Sequence, residues 1–136
     1  MSVEIDIIYR GALRCEATHG PSKHTVVTDA PVDNGGKGAS FSPTDLVAAA
    51  AGTCMLTIMG LVAQRNGLDL NGTRVHVVKE MVADPMRRTG SLTISIALPA
   101  DRPLDPDVRS KLERAAHTCP VTQSLHPDVK VHVKFQ

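Results

Sequence analysis

A chain of 136 residues with fifteen basic and fourteen acidic side chains carries almost no net charge, so nothing in it suggests a nucleic-acid partner or an anionic membrane surface. Its aromatic residues are two phenylalanines and one tyrosine, which leaves the core to aliphatic side chains. The length fits one domain, residues 1–136, large enough for a real core yet only marginally stable alone.

The amino terminus carries Glu4 and Asp6 where the apolar stretch of a signal peptide would lie. Three cysteines without a secretory leader point to a reducing cytoplasm rather than a disulfide framework. Val3, Ile5 and Ile7 alternate with Glu4 and Asp6, a half-buried strand to about Tyr9. Gly11 allows a turn, and residues 12–18 alternate again, with Leu13, Cys15 and Ala17 on one face and Arg14, Glu16 and Thr18 on the other. Gly20, Pro21 and Ser22 turn the chain into a third strand, His24 to Thr28. Asp29 to Ser40 reads as a flexible entrance loop, since its glycines around Lys37 lack phosphate-loop spacing.

Ser42 to Gly67 organises everything else. Ser42 is a helix N-cap, Pro43 the first helical residue and Asp45 the acid of a capping box, and Asn66-Gly67 is a left-handed stop. The helix between them runs about 24 residues, on the order of 36 Å. Leu46 to Ala63 bears no charge on any face, and a helix apolar all round has to be covered all round. That run is long enough to span a bilayer. Thr53, Thr57 and the many small residues dilute it, and amphipathic strands follow, so a core helix is the reading and no membrane is implied.

Thr73 to Val82 and Ser91 to Leu98 form a hairpin, the second with Leu92, Ile94, Ile96 and Leu98 inward. Asp105-Pro106 opens a helix to about His117, with Val108, Leu112 and Ala115 as its apolar stripe. Cys119 can cap a short helical turn that starts at Pro120, and Val129 to Phe135 is the last strand. The order is α+β: antiparallel sheets around a long central buried helix. One copy cannot cover both sides of that helix, so a homodimer that buries it between two sheets is expected.

Cys54 sits mid-helix beside a flank thinned by Ala48 to Ala51 and Gly52, at the bottom of a packed site. Taken alone it reads better as an inert buried thiol, and the second cysteine, Cys119, is what favours a reactive one. Burial among Ala, Met and Leu raises a thiol's pKa, and the helix dipole does not reach mid-helix, so an active Cys54 needs a cation from elsewhere. Cys119, at a helix start, is placed to favour its thiolate. Cys15 lies on the apolar face of its strand and reads as filler.

The helix motif, Ser42-Pro43-Thr44-Asp45-Leu46 through Ala49, Ala50 and Gly52 to Cys54, together with Cys119-Pro120-Val121, resembles the OsmC/Ohr group of osmotically inducible and organic hydroperoxide resistance proteins, in its OsmC-like branch. The resemblance covers essentially the whole chain. It implies an intertwined homodimer with sites at the interface and a thiol peroxidase that uses no metal, haem or flavin cofactor. It makes Cys54 the peroxidatic thiolate that reduces an organic hydroperoxide, and Cys119 the thiol that resolves it into a disulfide. A dithiol reductant, lipoyl in the best-understood members, would complete the cycle.

An early-strand arginine activates the thiol in hydroperoxide-reducing relatives, which points to Arg14 here, with Arg10 as the alternative. Those relatives carry glutamate after the helix proline, where this chain has Thr44, and Asp45 follows as a catalytic acid or simply a cap. The missing glutamate also fits a non-catalytic ligand-binding dimer of the same fold. A metal site from Cys54, His117 and Cys119 matches no structural zinc spacing.

Overall fold

Alternation of apolar and polar residues draws the first part of the chain into three strands, β1 Ile5–Gly11, β2 Arg14–His19 and β3 Thr25–Asp29, in a computed structural model that describes residues 1–136. The chain forms two compact units, Met1–Val47 and Ala48–Gln136. In the first, β1-β2-β3 is the expected antiparallel meander. The turn between β1 and β2 is wider than expected, because Leu13 leaves the strand. Gly11, Ala12 and Leu13 all take positive φ, at 82°, 53° and 65°. A left-handed alanine costs about 1–2 kcal/mol that asparagine largely avoids. Ala12→Asn should therefore raise stability by roughly 0.5–1 kcal/mol, read as a higher melting temperature.

The loop after β3 is hydrogen-bonded onto itself rather than loose. Gly38 N–H donates to Ala30 O at 3.1 Å and Gly36 N–H to Pro31 O at 3.0 Å. A Cβ on Gly36 would lie 1.8 Å from Ala30 O, so only glycine permits that approach.

The second unit holds the core. The long helix, α1 Pro43–Arg65, starts in the first unit and runs through the second. It buries one stripe, Ala48, Ala51, Gly52, Met55, Met59 and Ala63. That stripe shares a core with Leu92, Ile94 and Ile96 of β5 (Arg88–Ala97), each fully buried, and with Leu112 of α2 (Pro106–Ala116). Each such aliphatic side chain contributes about 1.5–3 kcal/mol. The opposite stripe is open in a single chain, with Val47, Thr53, Thr57 and Leu61 exposed. The Thr53 and Thr57 hydroxyls are turned back onto Ala49 O and Thr53 O, at 2.9 and 2.8 Å, so this open stripe is effectively apolar.

The expected antiparallel pairing holds between β4 (Arg74–Val82) and β5, but β6 (Lys130–Phe135) pairs parallel with β5. The second sheet is therefore mixed. The physical reason is the connection: α2 and the short α3 (Pro120–Gln123) carry the chain back to the end where β5 began, which a parallel pair requires.

Candidate functional site

Two cysteines from distant parts of the chain meet in the second unit. Cys54 lies mid-way along α1, half-buried, too deep in the helix for the dipole to act on it. Cys119 is the N-cap of α3, with Pro120 at the first helical position, and it is fully buried. Its Sγ lies 4.0 Å from Ala51 O, on the turn of α1 that precedes Cys54. Both thiols are free.

The two sulfurs perturb each other. Burial pushes the Cys54 thiol above the ordinary range and the neighbouring Cys119 adds to the rise, while the Val121 N–H offsets part of it. At Cys119 burial also pushes upward, but it is outweighed by the Cys54 thiol, the Thr122 N–H and hydroxyl and the Val121 N–H, which favour the thiolate. The net displacement of Cys119 is downward. When the pair gives up a proton, the charge is therefore favoured on the Cys119 side. In a Cys15→Ser background, Cys119→Ala should lower the Cys54 titration and Cys54→Ala should raise that of Cys119, both visible in thiolate ultraviolet absorbance against pH. Titrations that ignored the partner's removal would mean that the sulfurs do not share a proton.

The remaining expected residues lie in the first unit. Asp45 occupies the capping box: its N–H donates to Ser42 Oγ at 3.1 Å and its Oδ2 accepts from Ser42 N–H at 2.9 Å. Thr44 Oγ1 is 3.3 Å from Ser42 Oγ. Arg10 pairs with Glu16 at 3.2 Å on the exposed sheet. Arg14 stands directly across from Asp29 in the β2–β3 register, its Nε 3.9 Å from Asp29 Oδ2.

Asp29 is the functional candidate that sequence reasoning passed over. At the head of a glycine-rich loop it looks like an ordinary turn residue. The available signal was arithmetic: a turn centred on Pro21 and Ser22 that pairs Thr18 with Thr25 also pairs Arg14 with Asp29.

A family profile described as OsmC-like protein matches residues 35–134. The chain is 42% identical to a protein from Psychrobacter arcticus 273-4 assigned by name to osmotic stress induction and the detoxification response, with a TM-score of 0.91, covering 97% of this chain and 94% of that one. The organic hydroperoxide resistance protein OsmC of Legionella pneumophila has the same fold at 16% identity and a TM-score of 0.78, covering 100% and 97% of the two chains. OhrB of Bacillus subtilis, an organic hydroperoxide resistance protein, does so at 18% identity and 0.70, covering 100% and 98%. No curated protein matches the chain.

Proposed function

Because the chain belongs to the OsmC-like family, we propose that it is a cysteine-based thiol peroxidase that reduces organic hydroperoxides. The observation that carries this reading is the meeting of Cys54 and Cys119, one sulfur half-buried and the other at a helix start. Cys54, as thiolate, attacks the distal oxygen of ROOH; the O–O bond breaks, the alkoxide takes a proton and leaves as ROH, and Cys54 becomes a sulfenic acid. Cys119 then attacks that sulfur, releasing water and forming the Cys54–Cys119 disulfide. A dithiol, lipoyl-bearing or otherwise, restores both thiols by two exchanges and is itself oxidised to a disulfide.

Ionisation of the pair favours Cys119, so a cation is needed to place the charge on Cys54, and Arg14 supplies it in this reading. Because the pair shares its proton, the cation has only to outweigh the difference between two neighbouring sulfurs. Asp45 acts through the helix it caps. A second copy covers the open apolar stripe of α1, where Leu61 is 45% exposed, in a homodimer. Sedimentation of the purified protein as a monomer at micromolar concentration would remove that part of the proposal.

The test is mass spectrometry after one equivalent of cumene hydroperoxide, with a Cys54–Cys119 crosslink as the expected product. If both thiols remain titratable, the peroxidase reading is wrong. A ligand-binding dimer with an un-ionised Cys54 then takes its place, which is the reading favoured by the burial that pushes this thiol upward.

A further inference from the structure

Asp29 presents an unusual combination. Its side chain is wholly excluded from solvent, its Oδ2 accepts a single backbone N–H, from Ala39 at 2.9 Å, and its Oδ1 is buried without a hydrogen-bond partner. Burying a carboxylate costs several kcal/mol unless something compensates. The loop that buries it is itself elaborately fixed: Asp29 N–H donates to Phe41 O at 3.1 Å, and Ser40 Oγ donates to Val27 O at 2.8 Å. Opposite stands Arg14, whose Nε is also buried without a hydrogen bond, although its side chain as a whole is 42% exposed.

The guanidinium is therefore divided between two environments. Its Nε is shut off from solvent on the side of the Asp29 carboxylate, while 42% of the side chain's surface is open to solvent. At 3.9 Å the two groups form an ion pair without a hydrogen bond, and a planar guanidinium that closes this gap is fixed at one edge, with its remaining N–H fork pointing in a set direction. Arg10, itself exposed and paired with the half-buried Glu16 through a terminal nitrogen, has neither property.

We propose that Asp29 is a positioning residue that holds Arg14 by its Nε edge and aims its terminal N–H groups at an anion. This rests on the reading that Arg14 is the cation for the Cys54 thiolate. Asp29 does not touch substrate. The competing role, a mere tether for Ala39, needs only an acceptor oxygen, and an amide would fill it at less cost than a buried charge.

Asp29→Asn separates the two roles, because the amide keeps an acceptor for Ala39 N–H and loses the charge. The measurement is the pH profile of Cys54 alkylation, read at that residue by mass spectrometry, in the unsubstituted protein, Arg14→Ala, Asp29→Asn and the double variant. Arg14→Ala and Asp29→Asn should each slow alkylation at neutral pH by about tenfold, and Asp29→Asn should add nothing once Arg14 is gone. If Arg14→Ala slows alkylation and Asp29→Asn does not, the positioning role is overturned while the reading of Arg14 stands. An unchanged profile in Arg14→Ala removes both. A further measurement needs no variant: in the unsubstituted protein the Arg14 Nε–H should exchange slowly with solvent by NMR, and rapid exchange would overturn the proposal even if Asp29→Asn fails to fold.

Discussion

Cys54→Ser should reduce thiol-dependent consumption of cumene hydroperoxide to background, a loss on the order of 10⁴-fold, because a serine hydroxyl at this place has neither the acidity nor the polarizability to attack an O–O bond. Cys119→Ser should behave differently. It should consume one equivalent per chain, stop with Cys54 as a sulfenic acid that dimedone traps, and pass to the sulfinic acid when peroxide is in excess. The first turnover should keep its rate to within about threefold, since the attacking sulfur is still present.

These two variants also decide a conflict within the site. Electrostatics at rest favour a thiolate on Cys119, through the Cys54 thiol and the Thr122 and Val121 donors, whereas solvent reaches Cys54 and not Cys119. Reactivity depends on access and nucleophilicity as well as on thiolate fraction, and a more acidic thiolate is the weaker nucleophile. Access is the stronger constraint, because a bulky hydroperoxide cannot reach a sulfur through packed protein while a proton can move between neighbouring sulfurs. If Cys119→Ser abolished the first turnover and Cys54→Ser preserved it, the roles assigned to the two sulfurs would be reversed.

What the sequence discloses is uneven, and the unevenness has physical causes. The long helix is legible because its start and stop are local chemistry: the reciprocal Ser42–Asp45 bonds close the cap, and α1 ends at Arg65 beside Asn66-Gly67. Strand β5 is legible for the same reason, since alternation alone puts Leu92, Ile94 and Ile96 on the buried face. Cys119 is placed correctly at a helix start by the proline that follows it. The direction of β6 is not legible, because a strand's own pattern is identical for a parallel or an antiparallel neighbour. The Gly11–Leu13 turn hides because Ala12 and Leu13 carry no signal for positive φ. Neither sulfur's spacing implies that they meet; that expectation comes from the family resemblance, and the packing of α3 against α1 gives it a physical basis.

The same packing makes Gly52 the residue on which helix, sheet and sulfurs jointly depend. A Cβ built there would lie 2.9 Å from Val77 Cγ2 and 3.2 Å from Val75 Cγ1, both on β4. These are branched side chains with stiff χ1, so they cannot withdraw as a lysine or methionine could. Gly52→Ala gains up to about 1 kcal/mol of helix propensity, against an overpacking cost of roughly 1–3 kcal/mol, and so should be neutral to mildly destabilising. Gly52→Val forfeits most of the propensity gain and adds two methyl groups, for a loss of about 3 kcal/mol and a fall in melting temperature of about 10 °C. Relief comes most easily by α1 lifting from β4, and that displaces Ala51, whose carbonyl lies 4.0 Å from the Cys119 sulfur. Peroxide-driven crosslinking should therefore slow in Gly52→Val even at temperatures where the variant remains folded. An unshifted melting temperature would mean that α1 does not rest on β4 at this distance, and normal crosslinking in a clearly destabilised variant would mean that the sulfurs are held together by something other than the seat of the helix.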